Sequence, residues 1–330
     1  MTLFSKDLSR RSLGKSALAF MLLASGVSLA QAQDKIPVRF GILAPSSSNI
    51  YFFLGVEKGI YEAHGLDVQP TTFLRGGPEV IAAAASGQVD IGTLGTPIII
   101  GISRQVPIKV VGSPALKGQE FLLVGTNDTE KVEDLAGATV AVASVGGGQS
   151  QALRYILAAH NVDAQSVNEI AYGGGGNGYA AFASGQIKAA IFSEPYATRL
   201  IQEGNGKLLA EAKDYYGRYQ HSYIFASDAF IASNPEAIRK FFEASAEAIR
   251  YARDNREELL DFSEKTLNLD RDLLNTIYDK YLPEWDDTQV VDEEGLVNAV
   301  RILKEVGDID QSFEPELSTI VNTSFVGAGS

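Results

Sequence analysis

The chain has 330 residues, no cysteine, and 41 acidic against 28 basic side chains, a formal charge of −13. That length admits two domains of ordinary size, and the lack of cysteine excludes disulfides, thiolate metal sites and lipid attachment at an N-terminal cysteine. The acidity disfavours a nucleic-acid partner, whose phosphate backbone calls for basic surfaces, but leaves room for a small ligand in a pocket that opposes the overall field.

The first 32 residues read as a signal segment. Lys6, Arg10, Arg11 and Lys15 make a basic start, Ala17 to Leu29 is apolar and too short to span a bilayer, and Ala30-Gln31-Ala32 is a small-residue cleavage signal that places the mature start at Gln33. The stretch "SRRSLGK" fits a twin-arginine signal and equally a general secretory signal that happens to hold two arginines. No other stretch approaches a transmembrane length. An exported chain without lipid or disulfides suits a Gram-negative periplasm.

Next in chain order, "VRFGILAPSSSN" (Val38 to Asn49) reads as an apolar strand running into a Ser-rich loop, followed by a helical pattern over Tyr51 to Ala63. Leu74-Arg75-Gly76-Gly77 opens an Ala-rich helix that ends in "ASGQVDIGTLGTP" (Ala85 to Pro97). Ninety-eight residues later the phrase returns as "ASGQIKAAIFSEP" (Ala183 to Pro195), preceded at the same offset by Tyr172-Gly173-Gly174-Gly175. "TVAVASVGGGQS" (Thr139 to Ser150) repeats the style of the first strand and loop, and Gln151 to His160 is again helical. Alternating strands and helices predict parallel α/β sheets, and the colinear repeat predicts two similar lobes.

The strands "EFLLVG" (Glu120 to Gly125) and "SYIFASDAFIA" (Ser222 to Ala232) are placed to cross between the lobes. This gives residues 33–122 and 224–330 to the first lobe and 123–223 to the second. Asn234-Pro235 starts a helix with a broad apolar stripe, Asn234 being a plausible N-cap. Further helices are expected over Arg271–Tyr281 and Asp292–Val306, and the tail after Gln311 is expected to be irregular.

In open α/β sheets, ligands sit outside the carboxyl ends of the strands. Every repeated loop follows a strand, so all gather at that edge, and two facing lobes would enclose a cleft that closes about the crossover strands. Ser46, Ser47, Ser48 and Asn49 precede one helix; Gly147, Gly148, Gln149 and Ser150 precede another. Small residues, hydroxyls and free helix N–H groups together suit an anionic oxygen cluster. The Tyr172–Gly178 run lacks the Lys-Ser/Thr ending of a phosphate loop and reads as the second-lobe partner of the Arg75-Gly76-Gly77 loop.

Two side chains carry two readings each. Arg75 either clamps an anion or pairs with a surface carboxylate. Glu194, where the first lobe has Thr96, either receives an ammonium or amidine group or stabilises the helix that follows it. If Glu194 faces the cleft, a bare inorganic anion is a poor ligand. Tyr51, Phe52, Tyr196 and Tyr223 could wall the pocket, while Tyr215, Tyr216 and Tyr219 cover the second lobe's surface. His64, His160 and His221 show no metal-ligand spacing; the first two sit at helix ends. No nucleophile elbow or calcium loop appears. A binding protein rather than an enzyme is expected, with neither cofactor nor metal.

Three segments resemble a known family. "GVEKGIYEAHGLDV" (Gly55 to Val68), "GGPEVIAAAASGQVDIGTLGTP" and "SEPYATRLIQEGNGKLLAE" look like the corresponding stretches of the nitrate/sulfonate/taurine periplasmic binding proteins, the SsuA and NMT1-like group. The resemblance runs from Ile36 to Asn322. It implies a type II periplasmic binding fold, a monomer, and delivery of a small solute to an ABC permease and its ATPase. Aliphatic sulfonates or taurine lead as ligands; an aminopyrimidine thiamine precursor is the alternative, with nitrate behind. It places the binding loops at Ser46–Tyr51, Arg75–Gly77, Thr93–Thr96, Ser144–Ser150, Gly173–Asn177 and Ser193–Tyr196. The candidate contacts therefore include Gly76, Thr93, Thr96, Ser144, Gly174, Asn177, Glu194 and Tyr196.

Overall fold

The computed structural model describes residues 35–117 and 121–327. The expected signal segment and its cleavage point lie outside them. Ten strands form two sheets. The first holds β1 (Ile36–Leu43), β2 (Leu66–Phe73), β3 (Ile91–Leu94), β4 (Ile108–Gly112) and β10 (Tyr223–Ser227), in the order β2-β1-β3-β10-β4. The second holds β5 (Leu122–Gly125), β6 (Thr139–Val142), β7 (Asn168–Ala171), β8 (Ala189–Phe192) and β9 (Lys207–Glu211), in the order β7-β6-β8-β5-β9. In each sheet the first three strands are parallel and the fourth is antiparallel, contributed by a strand that enters from the other half of the chain.

The 98-residue offset is kept on β3 and β8, where Ile91 and Leu94 correspond to Ala189 and Phe192, while their partners on β1 and β6, Phe40 and Val140, lie 100 apart. In the first sheet Phe40 pairs with Ile91 and Leu94 with Tyr223; in the second, Val140 pairs with Ala189 and Phe192 with Leu122. The Ala-rich helices follow suit, Gly77–Ala85 and Gly175–Ala183. Short apolar strands buried on both faces explain the near-continuous runs "IGTL" and "AAIF", all of whose residues are buried.

The helix expected over Tyr51–Ala63 is broken into Ile50–Glu57 and Ile60–Ala63, because Gly59 takes the left-handed conformation at φ +68°. The helices at Arg271–Tyr281 and Glu293–Glu305 form where the sequence puts them. Helix Pro235–Asp254 also forms, but the Asn234 side chain makes no capping hydrogen bond. The tail is less irregular than expected: Leu317–Ile320 is helical, and Val321 bridges to Val110 in β4.

The core of the first sheet divides over its two faces. One side packs Phe40, Phe52, Tyr61 and Phe241; the other packs Val110, Tyr223 and Phe225 with Leu296 and Leu303 of helix Glu293–Glu305. That helix also places Ile302 against the second sheet's core, so it serves both lobes. Tyr216 belongs to this second-sheet core, stacked between Tyr155 and Tyr219 at 4.8 and 4.3 Å, rather than to the surface expected from sequence. Among the described residues no helix is long and apolar enough to cross a membrane.

Candidate ligand-binding cleft

The carboxyl ends of β1, β2, β3, β6, β7 and β8 face one cleft of about 270 Å³, at the small end of the roughly 300–1,000 Å³ usual for ligand sites. Its walls follow from the strand-loop-helix grammar. Ala44 to Ser46, Ser48 and Asn49 come after β1; Leu74 and Gly76 after β2; Gly95 after β3. From the second lobe come Ala143 and Gln149 after β6, Gly173 to Gly175 after β7, and Ser193, Glu194 and Tyr196 after β8. The two crossover segments add Pro114, Leu116, Phe121, His221 and Ser222.

Of the residues singled out by sequence, Ser46, Ser48, Asn49, Gly76, Thr93, Gln149, Gly174, Glu194 and Tyr196 line this cleft. Asn49 uses its side chain on its own loop: its Oδ1 accepts from Ser46 N–H at 2.8 Å and its Nδ2 donates to Ala44 O at 3.1 Å. Thr93 donates its hydroxyl to Tyr223 O at 3.2 Å, which leaves an oxygen lone pair as its remaining offer.

The others are placed elsewhere, each for a physical reason. Tyr51 is fully buried in the core, where its hydroxyl accepts from Ala115 N–H at 3.0 Å and burial pushes its pKa well up. The next residue along the helix, turned by about 100°, is Phe52, and it reaches the cleft instead. Tyr223 lies within β10 and donates to Gln220 O at 2.6 Å. The Arg75 side chain is 84% exposed and grips Glu79 one turn on, at 3.0 Å; that contact, with the Arg75 N–H, holds Glu79 below the usual carboxylate range.

Ser47 and Ser150 are buried with hydroxyls that have no hydrogen-bond partner. Thr96 is buried and donates to Gln151 of the second lobe. Ser144, Gly147 and Gly148 pack rather than line: a Cβ on Gly147 would meet Ser144 Oγ at 2.5 Å, and one on Gly148 would meet the His221 ring at 3.0 Å. A Cβ on Gly76 would meet Ser144 Oγ at 2.4 Å, so these two loops touch across the lobes. Asn177 is exposed on helix Gly175–Ala183.

Glu194 stabilises the helix that follows it, one of its two readings, and also lines the cleft. Its Oε1 accepts from Thr198 Oγ1 at 2.8 Å and its Oε2 from Thr198 N–H at 3.1 Å, which caps helix Tyr196–Gln202. Tyr281, from the other lobe, approaches Oε1 at 3.5 Å. The residue is only 1% exposed, yet it lines the cleft. It is the one charged side chain among the described residues that does so; no lysine or arginine joins it.

Sequence reasoning missed His221. Its ring lies edge-on to Phe121 at 4.7 Å and close against Gly95 of one lobe and Gly148 of the other. Burial pushes its pKa down to about 3, so the imidazole is neutral and offers no positive charge to an anion. The available signal was its position, two residues before a crossover strand. Tyr172 was read only as part of a glycine loop, and it walls the cleft. His64 and His160 occupy the helix ends expected of them, facing Glu247 at 2.8 Å and Glu133 at 3.1 Å. Among the described residues no cluster of His, Cys, Asp and Glu could hold a metal ion.

Comparison with known proteins bears on this geometry. The model of the NMT1-like family matches residues 31–261. A Brucella abortus chain, named as a presumed binding protein, is 28% identical over 82% of each chain. The taurine-binding periplasmic protein of Escherichia coli is 26% identical over 52% of this chain and 53% of its own. The alkanesulfonate-binding protein SsuA of Xanthomonas axonopodis, solved with MOPS, superposes with a TM-score of 0.72 at 16% identity, covering 88% of this chain and 99% of that one.

Proposed function

Since the chain belongs to the NMT1-like family, we propose that it is the periplasmic solute receptor of an ABC importer, and that its ligand is a small zwitterion of the amino-sulfonate kind. The observation that carries the ligand is Glu194. A carboxylate this buried, hydrogen-bonded by neutral groups and facing a cleft that no lysine or arginine among the described residues lines, calls for a cationic or N–H-rich edge on the ligand. A bare nitrate or plain alkanesulfonate would meet that charge with like sign. The opposite end of the ligand is provided for by the helices Ile50–Glu57, Gly77–Ala85 and Gly175–Ala183, whose N-termini open on the cleft and favour negative charge.

Similarity to the taurine-binding protein supports the same reading. Binding draws residues of both lobes around the solute, and delivery to a membrane permease follows from the receptor role. A second reading rests on the aromatic walls: Phe52, Phe73, Phe121, Tyr172 and Tyr196 also suit a flat aminopyrimidine, with Glu194 on its ring nitrogens.

The test is a thermal-shift screen. Taurine at about 100 times its dissociation constant adds roughly 2.7 kcal/mol, which shifts the melting point by several degrees. Stabilisation by a bare sulfonate or nitrate, with none from taurine or an aminopyrimidine, overturns the assignment to Glu194. Loss of taurine uptake in the source cell on deletion of the gene tests delivery.

A further inference from the structure

The cleft contains an amide whose orientation is decided. Gln149 sits in the first turn of helix Gly148–Ala159, buried in the cleft wall. Its Oε1 accepts the backbone N–H of Ala143 at 2.7 Å and the hydroxyl of Tyr172 at 2.8 Å. A carbonyl oxygen has two lone pairs; the Ala143 N–H takes one, and the other faces the Tyr172 hydroxyl, so the oxygen is turned away from the ligand. Its Nε2 makes one long contact, 3.4 Å to Ser193 Oγ. Whatever Gln149 gives a ligand is therefore an N–H.

Tyr172 holds this in place from outside the helix. Its ring is stacked on Phe192 of β8 at 5.6 Å, and its one hydroxyl proton is shared between Gln149 Oε1 and Ile191 O, which lies at 2.9 Å. Close packing of the ring against Gly178 fixes its other side, since a Cβ there would meet the ring at 2.8 Å. Turning the Gln149 amide would put its NH2 against the Ala143 N–H, donor against donor, in a buried site.

We propose that Tyr172 is a positioning residue that fixes Gln149 as a one-way hydrogen-bond donor, so that the cleft selects solutes carrying an acceptor beside the cationic or N–H edge taken by Glu194. This rests on the receptor reading above and deepens it. Ser193 adjoins Glu194 and touches Gln149, so the acceptor and the donor of the site are neighbours on one wall. An amino-sulfonate meets both through its ammonium and a sulfonate oxygen. An aminopyrimidine meets both through its amine and a ring nitrogen. A simple alkylamine meets only Glu194.

The experiment is titration calorimetry with taurine, 4-aminopyrimidine and propylamine on the wild type, Gln149→Glu, Gln149→Leu, Tyr172→Phe and Gln149→Leu/Tyr172→Phe. Gln149→Glu replaces the donor with a carboxylate. It should weaken whichever acceptor-bearing probe the wild type binds by about tenfold or more, while propylamine holds or gains. Tyr172→Phe should lower that preference a few-fold alone and do nothing further once Gln149 is Leu, because it acts through the amide. A general packing role would weaken every probe alike and additively. Equal losses for all probes, or an unchanged preference in Gln149→Glu, overturn the donor assignment. Binding of 4-aminopyrimidine but not taurine removes the zwitterion reading and leaves this one to be judged on the same variants.

Discussion

The two copies of the Ser-Gly-Gln phrase end in equivalent places and do opposite things. Thr96 closes the phrase in the first lobe, Glu194 in the second, 98 residues on. The strands before them, β3 and β8, stand at matched positions, and the same position in each lobe touches the other lobe. Thr96 reaches Gln151, and Glu194 is approached by Tyr281. The lobe-one copy is spent on holding the lobes together. The lobe-two copy adds a carboxylate that lines the cleft.

This contrast can be broken from either side. Thr96→Glu copies the second lobe into the first and buries a carboxylate where no cation waits; it should destabilise the protein by about 3 kcal/mol or more, read by urea unfolding. The converse, Glu194→Thr, removes the site's charge and should weaken taurine by about a hundredfold in titration calorimetry, with retained affinity showing that Glu194 is only a cap.

His221, between the lobes, gives the next effect. Its folded pKa of about 3 lies below the unfolded value near 6.5, so the unfolded chain binds the extra proton between them. Its contribution to stability is complete above about pH 6.5 and is lost at up to about 1.4 kcal/mol per pH unit as pH falls toward 3. His221→Gln should flatten that slope when unfolding is measured at pH 7 and pH 4.5. Thr96→Val leaves Gln151 without its partner in a buried setting and should cost about 1 kcal/mol, with a looser closed state visible as faster amide exchange near Gln151. Smallest of all, Arg75→Ala touches an exposed pair and should leave taurine affinity within about twofold. A larger loss would bring Arg75 back to the ligand.

Much of the architecture was legible because it is written in local rules. Strand, small-residue loop and Ala-rich helix recur at one offset, and the carboxyl-edge rule then gathers the loops at one cleft. The repeat also placed β3 and β8 at matched positions. What local pattern could not give was rotation and reach. Tyr51 and Phe52 are adjacent and aromatic, and only the seating of the helix sends one into the core and the other into the cleft. Arg75 carried two readings, an anion clamp or a surface pair, and the structure puts it on Glu79 one turn away. His221 shows no spacing of its own, and it matters because two crossover segments bring it between glycines 53 positions apart, Gly95 and Gly148.

The sequence by itself determined the two-lobe α/β plan, the loops that border the cleft and the acidic end of the second phrase, since periodicity and small-residue loops act over a few residues. Only the tertiary structure decided that, among the described residues, the cleft is lined by one carboxylate and a neutral imidazole, and that the Gln149 oxygen is turned to the Ala143 N–H. Those properties depend on burial and on partners distant in the chain, and desolvation and hydrogen-bond saturation exist only once the lobes have assembled.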